Sequence, residues 1–159
     1  MSARKLGLAL AAIATLALAA CGAPEQEQTE VPATVTPAAQ RIQDLTTINA
    51  SLETYRAANG AYPVSSGFQG YASNWGAGLG ADWIPGLQTT PLPRDPSMSE
   101  TGESQYLYFS DGADYKLIAH LTGDCGPEVE QSGVRIDPNR RDTTQCWAYG
   151  FWSTGGEHF

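Results

Sequence analysis

Residues 36–63 read TPAAQRIQDLTTINASLETYRAANGAYP, and this run decides the fold. Its apolar residues fall at Ile42, Leu45, Ile48, Leu52, Tyr55 and Ala58, a spacing that lines one face of a helix. Gln43, Asp44, Thr47, Glu53 and Arg56 fall largely on other faces. Thr36 supplies an N-cap, and Pro37 suits the first helical position, where its missing N–H costs nothing. Gly60 offers a left-handed C-terminal cap, and Pro63 blocks a restart. The pattern predicts an amphipathic helix over residues 37–59. Such a helix needs a cover for its apolar side, from a sheet or from another helix.

Downstream, the chain changes character. Residues 62–96 mix Gly, Ser, Asn and Pro with Tyr71, Trp75, Trp83, Ile84 and Leu87, which predicts a long connection with short helical turns. Residues 106–110 and 115–121 favour strand, and Asp111-Gly112-Ala113-Asp114 between them is turn chemistry, so the two make a hairpin. Residues 123–145 are polar, hold Gly126-Pro127 and Asp137-Pro138, and read as an irregular loop. Residues 146–154 predict a third strand, with Trp147, Tyr149 and Phe151 sharing one face. The fold class expected is α+β: one long N-terminal helix packed on a three- to four-stranded antiparallel sheet, followed by a disulfide-closed C-terminal loop.

Upstream of the helix, residues 22–35 hold almost no large apolar side chain and read as a flexible tether. Before it stand Arg4 and Lys5, then the uncharged stretch 6–20, which fits an export signal and falls short of the roughly 20 apolar residues of a membrane span. The stretch closes in Leu18-Ala19-Ala20-Cys21-Gly22, which resembles the lipobox of bacterial lipoproteins. That resemblance implies cleavage after Ala20 and lipidation of Cys21, so the mature chain is anchored to a membrane and does not cross it. Gly22 stands where an Asp would favour inner-membrane retention, so the outer membrane is expected in a Gram-negative cell. The organisation expected is a signal over 1–20, a tether over 21–35 and one globular domain over 36–159.

The motifs flanking the helix carry a second resemblance. Leu52, Tyr55, Asn59-Gly60 and Tyr62-Pro63 resemble the helix end of type IV pilins and type II secretion pseudopilins. Leu92-Pro93-x-Asp95-Pro96 resembles their Leu-Pro-x-Asp-Pro element, and Tyr106-x-Tyr108 with Asp111-Gly112-x-Asp114-Tyr115-x-Leu117 resembles their central hairpin. Order and spacing match the major pseudopilin best, over about half of the chain (residues 41–121). The resemblance implies a pilin-like fold that makes protein–protein contacts at the cell envelope, linked to a secretion or pilus machine. One departure is large: a lipobox and a polar tether replace the apolar helix with which pilins build filaments. The alternative is a free-standing lipoprotein that binds glycan or peptide.

Charge narrows the partners. Seventeen acids face nine bases, and loss of Arg4 and Lys5 with the signal leaves a formal charge of −10 on the mature chain. Such a surface repels phosphate backbones, so no nucleic-acid partner is expected. Cys125 and Cys146 remain once Cys21 takes a lipid, and outside the cytoplasm they predict a disulfide. Two lone thiols without a CxxC or a nearby His make a poor metal site. Asp124, Glu128, Glu130, Asp137 and Asp142 gather in the loop and are candidate calcium ligands, against the plainer reading of a solvated acidic loop. Tyr71, Trp75, Trp83, Trp147 and Trp152 are candidates for an exposed aromatic platform, or else for core. His120 and His158 have no motif partner, and no nucleophile turn, metalloprotease motif or phosphate loop is present. No enzyme and no resident cofactor are expected.

Overall fold

A computed structural model describes residues 34–66, 72–73, 82–87, 91–98, 104–123, 125–140 and 146–159. All of them belong to one compact unit, Thr34–Phe159. The signal, Cys21, residues 21–33 of the tether, Tyr71, Trp75, Asp124 and Asp142 lie outside the described residues.

The first helix, α1, spans Pro37–Asn59. The Thr36 hydroxyl accepts from the Ala39 N–H at 3.1 Å, and Pro37 opens the first turn. At the other end Gly60 adopts φ 77°, and its N–H reaches Arg56 O at 2.8 Å. That backbone conformation costs glycine nothing and any β-branched residue dearly. Leu45, Ile48 and Leu52 are fully buried, as the stripe predicts. Two positions differ from the pattern. Ala58 is exposed, whereas Asp44 is buried together with Arg41. The first half of α1 therefore packs through a polar layer that a count of apolar residues does not see.

Three strands form the centre of the sheet: β2 (Gln105–Ser110), β3 (Tyr115–His120) and β5 (Ala148–Trp152). Two-residue strands flank them, β1 (Ala72–Ser73) beside β2 and β4 (Arg135–Ile136) beside β5. The order is β1-β2-β3-β5-β4, and every pairing is antiparallel. The β2–β3 hairpin pairs Tyr106 with Ala119 and Ser110 with Tyr115. Its turn is held by Asp111, whose carboxylate accepts the N–H groups of Ala113 and Asp114, both at 2.9 Å. The loop after the hairpin is more ordered than its polar composition suggests. Helix α2 (Pro127–Gln131) follows Gly126, and it anchors in the core through Val129.

Alternation along the strands splits the apolar residues between two faces. Tyr106, Tyr108, Tyr115, Leu117, Ala119 and Tyr149 face α1 and join Leu45, Ile48 and Leu52 in the main core. Ile118, Ala148 and Trp152 form a smaller cluster on the second face, with Leu107 packed against it. Gly150 of β5 is fixed by close approach, since a Cβ there would stand 2.0 Å from Leu117 O. Tyr149 and Phe151 sit on the helix side as expected, but Trp147 lies one residue before the strand and is 37 % exposed. Among the described residues no helix is long and apolar enough to cross a membrane.

Candidate functional site

The residues that carry the sequence motifs meet between α1 and the hairpin. Three sheet tyrosines send their hydroxyls across the layer. Tyr106 donates to Asp44 Oδ2 at 2.7 Å, Tyr108 to the Pro63 carbonyl at 2.7 Å, and Tyr115 to the Asn49 side-chain oxygen. Gln40 holds the other Asp44 oxygen at 2.8 Å. Tyr62, from the turn after α1, stacks 4.4 Å from Tyr115 and donates to Glu53 at 3.0 Å. Burial is the main force that pushes the hydroxyls of Tyr106, Tyr108 and Tyr115 well above the ordinary tyrosine range. At Tyr106 the Asp44 carboxylate adds to the rise.

Asp95, in the Leu-Pro-x-Asp-Pro element, does more than shape a turn. Its carboxylate takes Arg41 Nε at 2.9 Å and Arg41 Nη2 at 3.2 Å, a bidentate pair buried on both sides. It also accepts the Ser97 N–H at 2.8 Å. This pair clamps the connection to the first half of α1. Neither residue stood out in the sequence as a site. The signal that could have found them is an Arg directly before the apolar stripe, together with an acid in a proline-bracketed turn.

The outward face of α1 carries a groove of about 1000 Å³, lined along the helix by Thr46, Ala50, Thr54 and Ala58 and walled by Tyr55 and Leu87. The hydroxyls of Thr46, Thr47, Ser51 and Thr54 donate back to carbonyls four residues earlier, at 2.7 to 3.0 Å. The groove is therefore lined by methyl groups and small side chains, with no charged residue among its lining. Such a surface can accept an uncharged protein face.

The remaining candidates separate. Cys125 and Cys146 form the predicted disulfide, with Cα atoms 5.2 Å apart. Trp83 and Trp152 are buried; Trp83 donates to the Pro93 carbonyl at 3.2 Å, and Trp152 lies on the second face under the Arg135 guanidinium, 3.9 Å from its ring. Of the described tryptophans, Trp147 alone is exposed enough to serve a surface platform. The described acids do not converge on a metal site. Asp137 is fully buried between Lys116, at 3.3 Å, and Arg140, at 2.9 Å. Glu128 and Glu130 are exposed on α2, where Glu128 accepts the Thr36 hydroxyl at 3.0 Å. Among the described residues no group of three His, Cys, Asp or Glu could hold a metal ion. His120 is half-buried at the end of β3 and His158 is exposed.

No family model, curated protein or solved structure matches the chain.

Proposed function

We propose that the chain is a non-enzymatic, lipid-anchored pseudopilin-like protein that makes protein–protein contacts at the cell envelope, within or beside a type II secretion or type IV pilus machine. One observation carries most of the weight: the helix-end and hairpin motifs of the resemblance pack against each other, and the Leu-Pro-x-Asp-Pro element is held to the same helix. Arg41 of α1 grips Asp95, Tyr62 stacks on Tyr115, and Tyr108 bonds to Pro63. Motifs matched by chance have no reason to be mutual contacts. The uncharged groove on α1 supports a contact role, because an acidic protein approaches most partners best through a face that carries no charge. The lipobox supplies the anchor, and the polar tether supplies reach. Glycan binding is favoured less, since Trp83 and Trp152 belong to the core.

The test is crosslinking and affinity capture of the full chain from envelope extracts, beside an Ala50→Arg variant. Enrichment of secretion or pilus components that Ala50→Arg abolishes, at unchanged melting temperature, supports the reading. Capture without any such component removes the machine. Intact-mass analysis tests the anchor separately: the mature chain should begin at Cys21 and carry acyl chains, and Cys21→Ser should leave the membrane fraction.

A further inference from the structure

Asn59-Gly60 is the chain's one Asn-Gly pair. In such a pair no side chain shields the second backbone nitrogen, so that nitrogen can turn onto the Asn side-chain carbon and displace ammonia. The structure sets the pair across the end of α1, with both residues exposed. A Cβ at Gly60 would meet nothing within 4 Å, so the space around the pair is open. Two hydrogen bonds hold the reacting groups apart. Gly60 N–H donates to Arg56 O at 2.8 Å, and Asn59 Nδ2 donates to Tyr55 O at 2.8 Å. Both acceptors belong to the last turns of the helix, so both bonds last only as long as those turns do. They are braced from beyond: Tyr62 Oη accepts from Arg56 Nη1 at 3.2 Å and donates to Glu53 at 3.0 Å, and Tyr62 N–H donates to Gly112 O at 2.9 Å. Asn59 also lines the uncharged groove on α1.

We propose that Asn59 is a deamidation site gated by the end of α1, and that its product places a negative charge in a groove whose lining carries none. The step needs only water. With the helix end frayed, solvent hydroxide takes the Gly60 N–H proton and the nitrogen bonds to Asn59 Cγ. The Cγ–Nδ2 bond then breaks, and ammonia leaves with a proton from water, which restores the hydroxide and gives a cyclic imide. Water opens the imide at either carbonyl, to aspartate or to isoaspartate, whose backbone runs through one extra methylene. In the closed turn neither group is free to react, because the nitrogen's proton is engaged with Arg56 O and the amide is turned back toward Tyr55. A helix end frays far more readily than a core unfolds, so the gate opens while the sheet stays packed. The product no longer donates to Tyr55 O, and its charge sits at the negative end of the helix, where it is unfavourable. What that charge does to a partner rests on the groove being a contact face; the deamidation does not.

The experiment is peptide mapping by mass of the full chain during incubation in mildly alkaline buffer, over a series of urea concentrations that ends with the unfolded chain. Mapping reads Asn59 whether or not the signal has been removed, and a partner that fails to bind leaves the rates unchanged, so failure here is distinct from failure of the contact reading. Amide-to-acid conversion at Asn59 should run about thirtyfold slower in the folded chain than in the unfolded one, the effect of two ordinary hydrogen bonds. Low urea should barely change the folded rate, because fraying of a helix end exposes little surface. Tyr62→Phe keeps the ring and removes the brace, and it should convert about fivefold faster than wild type. Asn59→Asp stands in for the product and should lower the melting temperature by about a few degrees. Two results overturn the proposal. One is conversion as fast in the folded chain as in the unfolded one, since the end of α1 would then be no gate. The other is conversion that is absent until urea unfolds the chain, or that climbs steeply with low urea, since Asn59 would then react only after global unfolding.

Discussion

The two faces of the sheet are built on opposite principles. The sheet residues that face α1 are apolar or are tyrosines whose hydroxyls are tied to helix and turn, and the buried charges on that side, Arg41, Asp44 and Asp95, come from the helix and the connection and not from the sheet. The second face has three buried apolar residues and is closed by charge: Lys116, Asp137 and Arg140 form a buried chain, and Arg135 caps Trp152 and donates to its carbonyl. Tyrosine combines area and a neutral donor in one side chain, so burying it costs little once the hydroxyl is paired. A buried charge is costly unless each partner stays in place. The first face should therefore degrade gradually under mutation and the second abruptly.

The sharpest way to break that contrast is Asp137→Ala. It strands two cations, one fully buried, and should cost about 3–5 kcal/mol in a urea melt. The double change Lys116→Met with Asp137→Leu should recover most of the loss, because both charges leave together. If the single variant costs no more than a surface substitution, the second face is not held by charge. Next comes the covalent tie. Cys125→Ser with Cys146→Ser frees a loop of sequence separation 21 and should cost about 3 kcal/mol by chain entropy. That loss should appear in thermal melts of the variant and of the reduced wild type alike.

On the helix face, Tyr106→Phe removes the donor to buried Asp44 and should cost about 1–3 kcal/mol, with the β2–β3 hairpin intact by circular dichroism. Alkali probes the same hydroxyls without mutation. Tyr106, Tyr108 and Tyr115 have pKa values raised above the ordinary 10.0 in the folded chain. The folded state thus keeps protons that the unfolded state has released, and stability should fall as pH climbs past 10.0. Lys116 works the other way. Burial lowers its pKa below 10.5, so in the window between the two values the unfolded chain binds the extra proton and stability rises with pH. Tyrosinate absorbance should therefore stay low for these three rings until the chain unfolds, while urea melts show a net loss of stability as pH passes 10.0, where three tyrosines outweigh the one lysine.

Much of this architecture is legible in the sequence, and the parts that are not share a cause. Helix α1, the β2–β3 hairpin and the Cys125–Cys146 bond follow from period, turn chemistry and cysteine count. Each of these signals is local or needs only residue type. Arg41–Asp95 joins residues 54 positions apart, and Lys116–Asp137 joins residues 21 apart. Both look like surface charges until topology brings them together. Helix α2 and strand β4 are five and two residues long, too short for any period to register. Trp83 and Trp152 could serve core or surface equally well on sequence grounds, and only their packing decides for core. The groove on α1 was hidden for a different reason. Threonine and serine read as solvated, yet their hydroxyls turn back onto the helix and leave an apolar face.

The smallest expected effect joins the helix to the disulfide loop. The Thr36 hydroxyl accepts from Ala39 N and donates to Glu128 Oε1, so one side chain both caps α1 and ties it to α2. Thr36→Ala should cost about 1 kcal/mol, the usual value of a cap. Glu128→Ala should cost less, because the contact is exposed to water. The informative quantity is their coupling, measured in a double-mutant cycle by urea melts. Coupling that is present in the oxidised protein and absent after reduction would mean that the disulfide holds Glu128 against the cap. Equal coupling in both states would mean that Val129, buried in the core, places α2 without help from the bond.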